Sequence, residues 1–434
     1  MNAAGVTRAR VARLGSRGEG VIEGADGPIY ASYALPGELV DVQGEGERAA
    51  LIEVIEASPE RIAPICPLFE SCGGCAAQHL APAPYAAWKR ALVVAALTQA
   101  GLVAAPDHQT FLSPLVHTHR PGPPPSTLPS PSCGRGEGLR VIAGFMRARS
   151  HEVIDIAACP ILAPGLERTF DVAREIARAL ASLGKPLDVQ ATATENGLDV
   201  DVRGAGALGD ALRHEMIALA ERLDLARLTH HGVIVAERRP PTLPMGAARV
   251  IPPGGNFLQA TQAGEETLAA LALDAVGEAK RVADLFCGCG AFALRLAQRS
   301  EVIAADSQAE AIAALERAAR TPGLRRIRAE TRDLFRRPLR AEELNGLDAV
   351  IFDPPRAGAS AQAGQIAASD APLVVGVSCH PGSFARDAKI LSEGGYALTR
   401  VTPVDQFRYS AHVELVGVFA KAKPARKKRG LLSR

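Results

Sequence analysis

The sequence predicts an α/β protein of three domains: a small N-terminal β-barrel, a central α+β domain and a C-terminal Rossmann-like domain. Short β-rich runs alternate with glycine-centred turns over residues 6–58, which is typical of a small barrel. Helix-like and strand-like segments are mixed from about 141 to 245. From about residue 250, strands alternate with helices at the spacing of βαβ units. This last pattern predicts a mostly parallel, doubly wound sheet.

Length and composition support several domains in a globular chain. The chain has 434 residues, whereas a single core stops growing at roughly 250–300 residues. Hydrophobic residues make up 47% and charged residues 22% of the chain, which excludes global disorder. No apolar run reaches the ~18 residues that span a bilayer, and the first residues have no secretory pattern. We therefore expect a cytoplasmic protein whose eight cysteines serve metal or catalytic roles rather than disulfides.

The predicted domain boundaries follow shifts in composition. The barrel covers residues 1–58 and is of the oligonucleotide-binding kind, although such barrels also serve as structural caps. The central domain covers 59–249 and contains a proline-rich, low-complexity insertion at 113–138, which cannot build a core. The Rossmann-like domain covers 250–422. The tail, 423–434, is basic without an acid, and suits either polyanion contact or simple solvation.

A glycine-rich turn in VADLFCGCGAFALRLA, residues 282–297, predicts a ligand site. Gly288 and Gly290 follow a hydrophobic strand and precede a helix, so the backbone there can approach a ligand closely. Asp306 ends the next strand, where an acid accepts hydrogen bonds from ribose hydroxyls. The pattern CGxG, rather than GxGxxG, suits S-adenosylmethionine (SAM) better than a dinucleotide. We interpret Cys287 and Cys289 as small packing residues of the turn.

Two later strands end in candidate site residues. VIFDPPRAGA places Asp353 at a strand end, and the two prolines after it stiffen the loop. VVGVSCHPGSFARD places Cys379 at the exit of another strand, where it is a candidate nucleophile. Alone, the first motif could be an ordinary turn and the second a buried thiol. Because both lie at the carboxyl edge of one predicted sheet, we expect them to share a site.

A cysteine cluster in the central domain predicts a metal centre. CPLFESCGGC contains Cys66, Cys72 and Cys75, and Cys159 in AACPIL supplies a fourth thiolate. Four thiolates fit zinc or a [4Fe–4S] cluster. The paired C-x2-C spacing of zinc sites is absent, which favours iron–sulfur. The spacing also differs from the C-x3-C-x2-C of radical enzymes, so we expect a structural cluster.

Together, the motifs CPLFESCGGC, DLFCGCG, DPPRAG, SCHPGSFARD and HVE resemble the RNA 5-methyluridine methyltransferases, specifically the branch that acts on 23S ribosomal RNA. The resemblance covers nearly the whole chain. It implies that the barrel is similar to a TRAM domain, that residues 250–422 form a SAM-dependent methyltransferase domain, and that RNA is the partner. It implies no membrane and no obligate protein partner.

The resemblance also implies roles for individual residues. The cysteine that matches Cys379 attacks C6 of the target uracil, C5 accepts the methyl group of SAM, and Glu414 in HVE accepts the C5 proton. The implied cofactor contacts are Gln259, Phe286, Asp306, Asp333 and Asp353.

The chain departs from the family pattern at a few positions. Ala291 and Thr261 stand where the family usually has Asn, so one cofactor hydrogen bond is expected to be missing or replaced. The family's Arg-rich strand would fall near 113–138, and only Arg140, Arg147 and Arg149 remain nearby.

Two alternatives to the ribosomal reaction remain open. The first is the same reaction on transfer RNA. The second is a non-catalytic iron–sulfur protein that binds RNA or senses redox state. The joint presence of Cys379, Asp353 and Glu414 argues against the second.

Overall fold

The computed structural model describes residues 5–102, 116–117, 132–135 and 141–421. Arg140, most of the predicted insertion 113–138 and the basic tail 423–434 lie outside the described residues. Within the described part, three large β-sheets follow one another along the chain. No helix in those ranges is long and apolar enough to cross a membrane.

The N-terminal sheet has six strands in the order β1-β5-β6-β4-β3-β2. They are β1 (Val6–Arg10), β2 (Arg13–Leu14), β3 (Gly20–Gly24), β4 (Gly27–Ala31), β5 (Leu39–Glu45) and β6 (Arg48–Glu56). Alternation along β5 explains its two faces, since successive side chains of a strand point to opposite sides. Val40 and Val42 join a small core, while Asp41 pairs with Arg8 across the sheet at 2.8 Å.

A long helix, α1 (Pro82–Gln99), follows this sheet. Its buried residues fall at positions that share one face of a helix. They are Tyr85, Trp88, Lys89, Val93 and Leu97. The helix packs against the C-terminal domain, and Val93 and Leu97 belong to the core of that domain.

The central sheet has six strands in the order β13-β12-β11-β10-β8-β9. β7 (Val116–His117) precedes this sheet in the chain and joins the C-terminal sheet instead. The strands and helices of the central domain are β8 (Ser132–Arg135), β9 (Val141–Gly144), α2 (Thr169–Ala179), β10 (Leu187–Thr194), β11 (Gly197–Arg203), α3 (Asp210–Arg222), β12 (Arg227–His230) and β13 (Val233–Glu237). A short 3-10 helix, Ala181–Leu183, follows α2. Apolar residues of α2 and α3 pack on the sheet to form its core.

Two of these strands lie within the predicted low-complexity insertion. β8 pairs with β9 and β10, and β7 pairs in parallel with a strand of the C-terminal sheet. Because the segment is rich in proline, its sequence predicts neither strand. The insertion therefore contributes backbone to two sheets.

The C-terminal domain contains the largest sheet. Its elements are β14 (Leu243–Met245), β15 (Ala248–Val250), α4 (Gln262–Val276), β16 (Arg281–Leu285), α5 (Ala293–Leu296), β17 (Glu301–Asp306), α6 (Ala309–Ala318), β18 (Ile327–Thr331), α7 (Ala341–Leu344), β19 (Ala349–Phe352), α8 (Ser360–Ala368), β20 (Leu373–Ser378), α9 (Pro381–Glu393), β21 (Tyr396–Asp405) and β22 (Glu414–Lys421). β14 and β15 form a separate hairpin.

The C-terminal sheet is doubly wound, as the sequence predicts. Its eight strands run β18-β17-β16-β19-β20-β22-β21-β7. The first five in this order are parallel to one another, whereas β22 is antiparallel to both β20 and β21. Two apolar cores form within the domain. The strand order reverses between β16 and β19, and ligands bind in open α/β sheets at such a switch point, beyond the carboxyl ends of the strands.

Candidate active site

The glycine turn after β16 has the backbone geometry that its sequence requires. Phe286, Gly288 and Gly290 have φ angles of 63°, 51° and 97°, a left-handed region that favours glycine. A Cβ at Gly290 would also lie 2.4 Å from Leu315. The Gly288 amide donates to Asp306 Oδ2 at 3.0 Å. The acid at the end of β17 is therefore held beside the turn, as predicted.

A cavity of about 400 Å³ opens beyond these strand ends. Its lining includes four of the five predicted cofactor residues: Gln259, Phe286, Asp306 and Asp353. The motifs at the ends of β16, β17 and β19 therefore meet in one place. This cavity is referred to below as the cofactor cavity.

Asp333 is not among the residues that line the cofactor cavity. Its Oδ1 accepts hydrogen bonds from the amides of Phe335 at 3.0 Å and Arg336 at 3.2 Å. It thereby fixes the turn that presents Phe335, whose ring centroid lies 5.4 Å from that of Phe286. Phe335 lines the cavity, whereas the sequence predicts a role only for the acid two residues before it.

A second cavity, of about 440 Å³, adjoins the first. The turn between β21 and β22 contributes to its lining. The two cavities share five lining residues: Phe257, Gln259, Arg356, Cys379 and Glu414. The predicted nucleophile and the predicted proton acceptor therefore both lie on the boundary between the cofactor cavity and the second cavity, which is called the substrate cavity below.

Cys379 is positioned by the junction of β20 and α9. The helix begins directly after His380, whose Nδ1 accepts a hydrogen bond from the Ser383 amide at 3.1 Å. Pro381 occupies the first helical position, where its missing N–H is not needed. The cysteine lies between the strand end and this cap, and its side chain is half-buried.

Burial holds the two carboxyl groups and the thiol at and beside the boundary towards their neutral forms. Burial, and then the neighbouring Asp353, raise the pKa of Glu414 to about 8. Burial raises the pKa of Asp353 to about 7, against a hydrogen bond from Gln259. Burial, Glu414 and Asp353 raise the pKa of Cys379 to about 11, while Arg356 lowers it. At neutral pH the thiol is therefore protonated in the free protein.

A chain of amides connects the two carboxyl groups. Gln259 Nε2 donates to Asp353 Oδ2 at 3.0 Å, and Gln406 Nε2 donates to Gln259 Oε1 at 2.9 Å. A hydrogen bond from Gln406 also lowers the pKa of Glu414. Gln406 is fully buried. Its sequence context does not mark it as a site residue, because an amide is neither an acid nor a nucleophile.

The remaining motif residues either pack in the core or cap a helix. Cys287 and Cys289 are buried, and Cys289 Sγ accepts a hydrogen bond from Asn256 at 3.2 Å, consistent with packing roles. Thr261, one of the departures from the family pattern, caps α4, since its Oγ1 accepts from the Gly264 amide at 2.7 Å. Its hydroxyl therefore serves the helix start.

Cys159 lies near enough to the other cysteines of the predicted cluster for their charges to act on it, although it is far from them in the sequence. Burial, with the nearby Cys159, Cys72 and Cys66, raises the pKa of Cys75 to about 12. Burial, with Cys66 and Cys72, raises the pKa of Cys159 to about 11. Across the described ranges, however, no group of three or more His, Cys, Asp or Glu side chains is found that could hold a metal ion. The predicted metal centre is not supported by this arrangement.

The doubly wound sheet, the glycine turn beside Asp306 and the cavity at the strand switch define the class of SAM-dependent methyltransferases. A model of the family "tRNA (Uracil-5-)-methyltransferase" matches residues 253–423. An uncharacterized RNA methyltransferase of Brucella suis biovar 1 (strain 1330) is 46% identical over 411 residues, or 94% of this chain and 97% of the relative.

A relative named for its substrate matches at a greater distance. The 23S rRNA (uracil(1939)-C(5))-methyltransferase RlmD of Aeromonas salmonicida is 30% identical over 404 residues, which cover 90% of this chain and 91% of the relative. The chain belongs to this family, the RNA uracil-C5 methyltransferases, and is a SAM-dependent enzyme that acts on RNA.

A solved structure has the same fold. The crystal structure of Pyrococcus abyssi tRNA (uracil-54, C5)-methyltransferase in complex with S-adenosyl-L-homocysteine matches with a TM-score of 0.69 and 19% identity. The match covers 95% of this chain and all of that one.

Proposed function

We propose that the protein forms 5-methyluridine in 23S ribosomal RNA through a covalent adduct between Cys379 and C6 of the target uracil, with Glu414 as the proton acceptor. The observation that carries the proposal is the position of these two side chains on the boundary shared by both cavities. A uracil in the substrate cavity would face the cofactor cavity across that boundary.

The chemistry needs a nucleophile because C5 of uracil is a poor one by itself. Addition of the Cys379 thiolate to C6 moves an electron pair onto the C5–C4–O4 system and makes C5 nucleophilic. SAM, when bound, supplies the methyl group that C5 takes up. Glu414 then accepts the C5 proton, the C5–C6 double bond re-forms, and the C6–S bond breaks to return the thiolate.

Both groups must be deprotonated at their own step. The Cys379 thiol must lose its proton before it adds, and Arg356, which lines both cavities, is the nearby cation that favours its thiolate. Glu414 must be a carboxylate when the C5 proton leaves. The raised pKa of Glu414 suits it for accepting a proton and then releasing it to solvent near neutral pH.

Several surface features favour an RNA substrate of some length. A groove of about 440 Å³ is lined by Arg17, Arg48, Arg147 and Arg149, and it shares Gly73 and Gly74 with the substrate cavity. Arginines of this kind suit phosphate contacts. Phe257, on the boundary of both cavities, exposes 76% of its surface and can stack with a base. Arg17 and Arg48 belong to the N-terminal, TRAM-like domain, which supports a nucleic-acid role for that domain.

The ribosomal substrate is favoured over transfer RNA by the name of the RlmD relative, which shares most of its length with this chain. In a strain that lacks the gene, we expect one 5-methyluridine to disappear from 23S ribosomal RNA and transfer RNA to keep its full content. Mass spectrometry of the digested RNAs measures both, and complementation with the intact gene is the control. Loss of the modified base from transfer RNA instead would favour the alternative substrate.

We also propose that Cys66, Cys72, Cys75 and Cys159 bind a [4Fe–4S] cluster of structural function. The spacing of the first three cysteines, with a distant fourth, supports this, as does the electrostatic influence of the other thiols on Cys75 and Cys159, which a metal would deprotonate. The cluster would connect the segment before α1 to the segment before α2. It takes no part in the transfer steps above.

Anaerobically purified protein is therefore expected to be brown and to contain about four irons per chain. Cys72→Ser should lower the iron content and the midpoint of thermal unfolding, because a metal that binds only the folded chain stabilises it. Cys133→Ser, which changes a cysteine outside the set, is the matched control and should keep its iron. Stoichiometric zinc without iron would contradict the assignment.

A further inference from the structure

The turn between β21 and β22, residues 406–413, forms much of the wall of the substrate cavity. Phe407, Arg408, Ser410 and His412 line it, and Glu414 follows the turn directly. The position of the turn therefore sets both the shape of the cavity and the place of the proposed proton acceptor.

A single lysine from α1 holds both ends of this turn. The Lys89 side chain is fully buried. Its ammonium donates to Asp405 Oδ1 at 2.9 Å, to the Phe407 carbonyl at 3.1 Å and to the His412 carbonyl. An ammonium has three protons to donate, and these three acceptors match that number. The first two lie where the turn begins and the third where it ends.

The middle of the turn is held from the same helix face. Tyr85, one helical turn before Lys89, donates to Asp405 Oδ2 at 2.9 Å and accepts from the Tyr409 amide at 2.8 Å. The amides of Ala76 and Ala77 donate to the Tyr409 carbonyl at 2.7 and 3.0 Å. The turn is thus fixed from outside the C-terminal domain.

Burial of Lys89 is not the simplest way to stabilise this packing. Replacing a buried ion pair by apolar side chains of similar volume is often neutral or stabilising. The flanking residues Trp88, Val93 and Leu97 already pack the same face of α1 in the core. A lysine here is better explained by what it does for the turn than by its contribution to folding.

We propose that Lys89 is a positioning residue of the active site, which fixes the 406–413 turn and places a positive charge close to Glu414. The inference rests on the proposed role of Glu414 as the proton acceptor. The hydrogen bonds of the Lys89 ammonium go to the Asp405 carboxylate and to backbone carbonyls of the turn, so Lys89 acts through the backbone of the turn and through its charge.

The electrostatic part of this role has a definite sign. Asp353 raises the pKa of Glu414, and Lys89 lowers it. The other ionisable groups on the same cavity wall are Cys379, Arg356, Arg408 and His412. Without the Lys89 charge, the pKa of Glu414 rises further above about 8. The carboxylate that accepts the C5 proton then forms only at higher pH.

Lys89→Met keeps the length and the apolar stem of the side chain but removes its charge and its three hydrogen bonds. We expect kcat at neutral pH to fall by about 10- to 100-fold, as for other displaced catalytic groups. The rising limb of the pH–kcat profile should move to higher pH by about one pH unit. Affinity for SAM, measured by calorimetry, should stay within about threefold because the cofactor cavity is lined by other residues.

Lys280→Met is the matched control. Lys280 lies just before β16, at the amino ends of the parallel strands and so on the side of the sheet away from the site. Its side chain is 64% exposed. A surface lysine of this kind contributes little, so kcat and the pH profile should match the wild-type protein.

Because Lys89→Met leaves Asp405 buried without this partner, a second variant separates folding from positioning. Lys89→Met/Asp405→Asn removes both charges and should regain thermal stability, while kcat at neutral pH stays low and the pH profile stays displaced. Wild-type kcat and profile in either variant would overturn the inference. So would a parallel loss of SAM affinity and kcat in the double variant, which would make Lys89 a folding residue. Failure of the proposed function shows separately, as normal turnover by Glu414→Gln.

Discussion

Cys379→Ala is expected to abolish both methyl transfer and the covalent adduct with RNA. An alanine cannot add to C6, and without that addition C5 of uracil does not attack the methyl group. We expect turnover to fall by about 10⁴-fold or more, as for the loss of other enzymatic nucleophiles. SAM affinity should change little, because the glycine turn and Asp306, which line the cofactor cavity, are untouched.

Denaturing electrophoresis with radiolabelled RNA and SAM measures the adduct directly. The Cys379→Ala lane should lack the shifted band at every time point. Cys133→Ala, a cysteine in β8 of the central sheet, is the matched thiol control and should turn over normally. A shifted band from Cys379→Ala would mean that another thiol is the nucleophile, and Cys287 and Cys289 in the glycine turn would be tested next.

The fold of the C-terminal domain and the strand-end residues of its site could be predicted from local sequence. Parallel strands end at one edge of a sheet, so motifs that follow successive strands meet there. Asp306 at the end of β17, Asp353 after β19 and Cys379 after β20 all follow this rule. Glu414 does not, because it begins the antiparallel strand β22, and only the resemblance to a family identified it.

The substrate half of the site depends on contacts between residues far apart in the chain, which no local sequence pattern predicts. Lys89 and Asp405 are 316 positions apart in the chain. In the sequence, Lys89 is one charged residue within a helix-like stretch, where a lysine normally lies at the surface. Gln406 also has no signal in the sequence, since its role depends on its contacts with Gln259 and Glu414. Phe335 lines the cavity from a turn that the Asp333 carboxylate fixes by hydrogen bonds.

Glu414→Gln is expected to stop the reaction after methyl transfer rather than before it. Release of the Cys379 thiolate requires loss of the C5 proton, and an amide is a far weaker base than a carboxylate. The methylated adduct should therefore accumulate as a stable shifted band that carries the label of SAM, the reverse of the Cys379→Ala result. The substitution is nearly isosteric, and because the Glu414 side chain is only 3% exposed, the amide keeps its packing and its contact with Gln406.

The decisive measurement for Glu414 is the fate of the label over time. In the wild-type protein the labelled band should appear and decay with turnover, whereas in Glu414→Gln it should rise towards one methyl group per chain and remain. Glu316→Gln, an exposed position on α6, is the matched control and should behave as the wild type. Normal turnover by Glu414→Gln would place the base elsewhere, with Asp353, whose pKa is raised to about 7 by burial, as the next carboxylate. A variant that forms no band at all would instead show that Glu414 is needed before the methyl group moves, for example to accept the proton of the Cys379 thiol.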